Sequence, residues 1–466
     1  MLRKILDSPW LYFSLAALIL VVAVFSQLRI HLPSRPTGSL ADLDRLRERD
    51  DVNVVFLLID TLRADRLSCY GHERETTPVI DFLAKTGVRF AHVQSQSSWT
   101  KVSMASLWTG FYPRRTGIQR FQDALAPEAT LPAEIFEAAG FRTAGIFRNG
   151  WLANNFGFAQ GYDLYVQPRP SATPAKFERK SPSAPALEGT DWDATESAVE
   201  FISSHKHERF FLYVHYMDIH QYLYDIDSAK FGNGIKEAYD NALHWTDRNV
   251  SAVLGEIEGS GLFDRTVVVI ASDHGEAFYE HGLEGHARNL YREVTETPLI
   301  VVLPFRLEPG IIVETPVQNV DVWPTVLELL GLPALPNADG RSLVPLLHAA
   351  ANGSDVPEDL AQRPAFAELD QSWGQTKHPP KPIVAIVNGR HRMIQHLNNG
   401  EVELYDHQVD PLEQTNLAES QPEAVEDLKG KVAVYLEKQA SWEVPKIELD
   451  EMRKAQLQAL GYLDPK

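Results

Sequence analysis

The sequence predicts an α/β fold, a layered core whose central sheet is mostly parallel and flanked by helices, followed by a small C-terminal α+β domain. Two observations carry this. Five short apolar runs, each closed by polar residues, read as buried strands. Helical patterns fall between them, and that alternation implies a mostly parallel sheet in a layered core. The 466 residues, 44% hydrophobic and 23% charged, suffice for a sizeable core. Against 63 Asp and Glu stand 44 Lys and Arg, a net charge of −19 that argues against nucleic acid as a partner. A single cysteine, Cys69, excludes an internal disulfide and Cys-rich zinc modules.

In chain order, a short tail (1–9) carries Arg3 and Lys4. Residues 10–28, WLYFSLAALILVVAVFSQL, hold no charge and match the length of a bilayer-spanning helix. Arg29 and Arg35 follow, so charge bias sets the orientation weakly. A cleaved signal peptide is the rival reading, with Val24 and Ser26 before the cut; the length favours an uncleaved anchor, with the bulk of the chain outside the cytoplasm. Residues 29–51 read as a polar tether ending in the charge run RLRERDD, a solvated helix.

The main domain is expected over 52–354. Its strand runs are NVVFLLID (53–60), RTAGIF (142–147), RFFLYVHY (209–216), TVVVIAS (266–272) and PLIVVL (298–303). Helical patterns lie near 78–86, 131–139, 193–205, 234–257 and 321–331. Residues 167–190, rich in Pro, Ser and Ala, read as a surface insertion or a lid. From 355 to 466 the texture changes to short runs, with NGR as a turn between strands, then VELYD and a helix near 421–438.

In an open parallel sheet, ligands bind beyond the carboxyl ends of the strands. Asp60 ends the first run, and Asp273-His274-Gly275 follows the fourth, so both face one rim. Carboxylates with an imidazole suit a divalent cation such as Mg, Mn, Zn or Ca. In SSWTKVSMASLWTG (97–110), Thr100 reads as the N-cap of a helix that Gly110 closes. A hydroxyl there lies beside free backbone N–H groups and the positive end of the helix dipole, where an anionic substrate could be held.

The order and spacing of these pieces resemble the sulfatase and alkaline-phosphatase superfamily. The matching stretches are VVFLLIDTLRADRLSCYG (54–71), WTKVSMASLWTGFYPRRTG (99–117), FLYVHYMDIH (211–220), SDHGEAFYEHG (272–282), NVDVWPTVLELLG (319–331) with DGRSLVPLL (339–347), and ELYDHQVDPLEQTNL (403–417). The resemblance implies an alkaline-phosphatase-like core in which Asp60, Asp273 and His274 hold the metal and Thr100 is both nucleophile and ligand. Sulfatases carry a cysteine there, oxidised to formylglycine within Cys-x-Pro-Ser-Arg; the stretch Thr100-Lys101-Val102-Ser103-Met104 keeps only the serine. The family's second aspartate is Thr61.

A threonine cannot follow the aldehyde route and instead resembles the phospho-transferring branch. His220 matches the family histidine at the ester group, and His286 falls where sulfatases often carry an anion-binding lysine. Arg148, Lys101 and Arg63 are the candidate anion contacts. His281 and His215 are weaker candidates, as compatible with structural roles, and Asp321 reads as a helix-start residue. The expected activity is a metal-dependent hydrolase or transferase acting on a small-molecule, lipid-head-group or glycan ester. Phosphate esters are expected ahead of sulfates. A sulfuric ester hydrolase working without formylglycine and a silent metal-retaining binding protein are the alternatives.

Overall fold

The computed structural model describes residues 35–170, 177–179, 189–372 and 379–448. The expected tail and membrane anchor (1–9 and 10–28) lie outside them; no helix among the described residues is long and apolar enough to cross a membrane. The strands are β1 (Asn53–Ile59), β2 (Val88–Gln94), β3 (Arg142–Ile146), β4 (Leu164–Val166), β5 (Phe177–Arg179), β6 (Phe210–Tyr216), β7 (Leu223–Asp225), β8 (Thr266–Ala271), β9 (Ala277–Phe278), β10 (Glu284–Gly285), β11 (Glu296–Val302), β12 (Ile311–Val313) and β13 (Val317–Gln318). β14 (Ala365–Asp370), β15 (Pro382–Asn388), β16 (His391–His396) and β17 (Val402–Asp406) form a separate antiparallel sheet.

The main sheet runs β12-β2-β11-β8-β1-β6-β3-β4, with β13 also on β2. β1 is parallel to β6 and β8, and β3 is parallel to β6 and β4. β11 alone runs against both its neighbours, β8 and β2. The five predicted runs are the five central strands, β11-β8-β1-β6-β3. Strands buried on both faces read as continuous apolar runs, and every residue of β1, β6 and β8 is buried. β2 escapes that pattern because Arg89, His92 and neighbours leave one side of it partly exposed.

Among the described residues, the helices of seven or more residues are α1 (Pro78–Thr86), α2 (Thr100–Thr109), α3 (Pro132–Ala138), α4 (Asp191–His205), α5 (Ile235–Gly259), α6 (Val322–Leu329), α7 (Val344–Asn352) and α8 (Pro422–Leu436). β1 shows the layering, because successive strand residues point to opposite faces. Val54, Phe56 and Leu58 join one core with α2, α3 and α6; Val55, Leu57 and Ile59 join the other with α1, α4 and α5. Trp108 of α2 stacks on Trp323 of α6 at 5.1 Å and meets Tyr213 edge-on at 4.9 Å, which seats α2 across the sheet.

One boundary differs from expectation. The tether was expected to run to 51, yet the compact unit begins at Pro36. Its charge run belongs to helical turns whose Leu43 and Leu46 are fully buried, since a three-residue spacing puts both on one face. The C-terminal sheet is present but shares its core with the main body. Ala367, Leu369, Ile383, Ala385 and Ile394 face the main core, while Phe366, Val384, Ile386, Met393 and Leu404 pack on Val425, Leu428, Val432 and Tyr435 of α8.

Candidate active site

Asp60 follows β1 and Asp273 follows β8, adjacent parallel strands, so the register brings both carboxylates to one rim. Thr61 ties the two loops together: its N–H donates to Asp273 Oδ1 at 3.3 Å, and its carbonyl accepts from Tyr239 Oη at 2.7 Å. That costs strain, since Thr61 has a φ of 60°, a left-handed conformation unfavourable for a β-branched residue. Gly275 is required by close approach, because a Cβ there would meet the Glu293 carbonyl at 2.2 Å.

Asp60, Asp273 and His274 are all fully buried and offer ligand atoms within 4.8 Å of one another. Asp60 Oδ2 accepts from Asn149 Nδ2 at 2.8 Å and His215 Nε2 at 3.1 Å. Asp60 Oδ1 and Asp273 Oδ2 have no hydrogen-bond partner among the described residues. His274 donates Nδ1–H to the Gly275 carbonyl at 2.9 Å, which turns Nε2 toward Asp273 Oδ2 at 3.3 Å. Two bare buried carboxylate oxygens beside an imidazole nitrogen is a donor set that fits a divalent cation, since buried charge demands a counter-charge.

The electrostatics agree. Burial pushes Asp60 up, but the His215 hydrogen bond and the imidazoles of His220, His215 and His274 hold it well below the usual carboxylate range. Burial and the facing Asp60 push Asp273 up to about 6. His274 is lowered by burial and then carried above its ordinary value by Asp273, Asp60 and the Gly275 carbonyl. The pair of acids calls for positive charge in this cradle.

Thr100 meets this cluster. Its Oγ1 lies 3.1 Å from His274 Nε2 and 3.4 Å from Asn149 Nδ2. Thr100 was expected as the N-cap of α2; it is the first helical residue, and Trp99, in extended backbone at φ −124° and ψ 123°, holds the cap position. The chain turns into the helix one residue early, so the threonine side chain looks into the rim. Ser103, one turn on, donates to the Asp273 carbonyl at 2.6 Å and fastens α2 to the loop after β8.

His220 and His286 face each other on the other side, ring centroids 4.8 Å apart, and His286 lies 4.6 Å from His274. Neither ring nitrogen of His220 has a hydrogen-bond partner among the described residues. Burial takes His220 down to about 4 against the pull of Asp60. Burial and His274 take His286 well below its ordinary value. His286 Nδ1 is paired at 2.9 Å with Glu276 Oε2, whose carboxyl burial pushes up to about 7.

Three expected anion contacts are engaged elsewhere, the two arginines by charge pairing and Lys101 by backbone carbonyls. Arg148 is buried between Asp191 at 2.8 Å and Asp218, and donates to the Gly189 carbonyl at 2.6 Å. Those acids also take the Met217 and Asp218 N–H groups and the Trp245 indole, so the network fixes the loop that carries His220. Lys101 donates to the Phe121 carbonyl at 2.6 Å, against the Phe156 ring. Arg63 is clamped by Asp65, Glu280 and the Glu276 carbonyl. Asp321 accepts from the N–H groups of Gln318 and Arg341, in keeping with a helix-start residue.

Asn149, Tyr213 and Glu276 escaped the sequence reading as site residues, and His215 was weighed only as a weaker candidate. Asn149 follows β3 as Asp60 follows β1, which was the available signal.

The sulfatase family profile matches residues 52–332, and a profile described as N-sulphoglucosamine sulphohydrolase, C-terminal, matches residues 279–441. Arylsulfatase K of Xenopus laevis is 23% identical, over 82% of this chain and 81% of its own. Among solved structures, a 2-O GAG sulfatase aligns with a TM-score of 0.69 at 18% identity, covering 87% of this chain and 96% of its own. The phosphonate monoester hydrolase of Agrobacterium radiobacter aligns with a TM-score of 0.63 at 19% identity, over 82% and 95%.

Proposed function

The chain belongs to the sulfatase family and is an enzyme of the sulfatase and alkaline-phosphatase superfamily, and on that premise we propose that it cleaves or transfers phosphate esters through Thr100. One observation carries the reading: a threonine oxygen, where sulfatases hold a formylglycine cysteine, lies 3.1 Å from His274 Nε2 in the Asp60–Asp273–His274 cradle. A divalent cation bound there would supply Lewis acidity and lower the pKa of the hydroxyl beside it; Asp60, Asp273, His274 and Thr100 are the groups to hold it.

The chain's own residues account for the rest. Asn149 directs an N–H at Thr100 Oγ1 and orients it. Thr100 loses its hydroxyl proton to solvent and Oγ1 forms the new bond to phosphorus as the bond from phosphorus to the ester oxygen breaks, and the first-turn N–H groups of α2 face the charge on the transferring group. His220, neutral before substrate arrives, takes up a proton from solvent as the anionic ester binds beside it and hands that proton to the leaving oxygen. Water or an acceptor hydroxyl then takes the phosphoryl group from Thr100. The apolar run at 10–28 supports an extracytoplasmic site, with substrates at or near an envelope.

The test is direct. The purified protein in Mn or Zn should hydrolyse an aryl phosphate, carry phosphate on Thr100 by mass spectrometry, and lose both with Thr100→Ala. The second reading is a sulfuric ester hydrolase, favoured by the arylsulfatase relative and the C-terminal profile; aryl sulfate as the better substrate would establish it. Neither activity would leave the silent binding protein.

A further inference from the structure

Asp60 is held by more than its strand. Its Oδ2 accepts from His215 Nε2 at 3.1 Å, and His215 Nδ1 lies 2.7 Å from the Tyr213 hydroxyl. All three side chains are fully buried. The order of donors follows from chemistry. A carboxylate can only accept, so His215 carries a proton on Nε2; in that tautomer Nδ1 is an acceptor, and the phenol supplies the hydrogen. Tyr213 and His215 are two apart on β6, so their side chains leave the same face of the strand. Tyr213 is itself immobilised, edge-on to Trp108 at 4.9 Å and tilted against Phe56 at 6.0 Å.

The geometry points to Tyr213 and His215 as positioning residues for the cation: the hydroxyl fixes the His215 tautomer, and His215 occupies Oδ2 so that Asp60 presents Oδ1 bare toward Asp273 and His274. Oδ1 is the oxygen left without a partner among the described residues, 4.0 Å from His274 Nε2. Asn149 adds a second donor to the same Oδ2, at 2.8 Å. A carboxylate whose Oδ2 is saturated in this way cannot swing to offer that oxygen in place of Oδ1, and partners of this kind orient the groups that hold a metal. Without the Tyr213 hydroxyl, His215 is free to carry its proton on Nδ1, and Nε2 would then face Asp60 with a lone pair instead of a hydrogen.

This rests on the reading that Asp60, Asp273 and His274 hold a divalent cation, and is independent of which ester is cleaved. The test titrates Mn²⁺ into the cation-stripped full-length protein by calorimetry, with Asp273→Asn as the reference for binding elsewhere. His215→Leu should weaken binding about 10–100-fold. Tyr213→Phe, which keeps the ring packing, should weaken it in the same direction. His215→Gln, which can donate to Asp60 and accept from Tyr213 at once, should stay within about three-fold of wild type, a rescue that lost packing would not give. Wild-type affinity in Tyr213→Phe overturns the role of the hydroxyl whether or not the leucine variant folds. Equal losses in His215→Gln and His215→Leu overturn the donor argument. A wild-type heat no larger than that of Asp273→Asn overturns the proposal together with the cation site, whereas missing phosphate on Thr100 bears only on the proposed reaction.

Discussion

On one side of Thr100, Asp60, Asp273 and His274 are each held by hydrogen bonds from two or more directions, and α2 is fastened to the same loop by Ser103. On the other side, His220 is buried with neither ring nitrogen paired among the described residues, and its position comes from the loop beneath it. On the proposed reaction, the first half would hold a charge that does not change during turnover, and the second a proton that does.

Thr100→Ala should lower aryl phosphate turnover by about 10⁴-fold or more while Mn²⁺ still binds; turnover within ten-fold of wild type would remove Thr100 from the chemistry. Next, His220→Ala should cost about 10²–10⁴-fold in turnover with Mn²⁺ affinity unchanged in calorimetry; a parallel loss of affinity would mean that the two halves are not separate. Arg148→Met tests the support below His220. Removing one member of a buried ion cluster costs about 3–5 kcal/mol, so urea unfolding should shift strongly; a raised KM at unchanged stability would restore Arg148 as an anion contact.

The smallest effect concerns His281, outside both halves. Burial would lower it, but its ring nitrogens meet Glu293 at 2.9 Å and the Glu413 carbonyl at 3.0 Å, which carry it up to about 9. A raised value means that its stabilisation is complete below about 6.5, the ordinary histidine value, and fades as pH rises through about 9. The gap in urea midpoint between wild type and His281→Gln should therefore be present at pH 6 and shrink by pH 10; a constant gap would show that the imidazolium is not the stabilising form.

What could be read in advance followed the strength of each local signal. The central strands and the helices against them announce themselves because burial on both faces leaves unbroken apolar runs, as in NVVFLLI. Asp60, Asp273, His274 and Thr100 were legible because strand ends and a helix start are fixed by such elements. The fate of Arg148 was not legible, since its partners Asp191 and Asp218 lie 43 and 70 residues away. Nor was the tie from Tyr213 through His215 to Asp60, the last two 155 residues apart. Local pattern locates the rim; which side chains reach over it depends on pairings between distant residues.

The two-sided packing of β14–β17 also bears on how the molecule is made. The last described stretch returns to the main body, where the Ala124 N–H donates to the Pro445 carbonyl and the Ile447 N–H to the Gln122 carbonyl. At about 5–20 residues per second, a ribosome needs roughly 5–20 s to go from Val302, the end of β11, to Asp406, the end of β17. Throughout that interval the flank of the main core that β14–β17 cover stays bare, an interval in which a chaperone would have work to do.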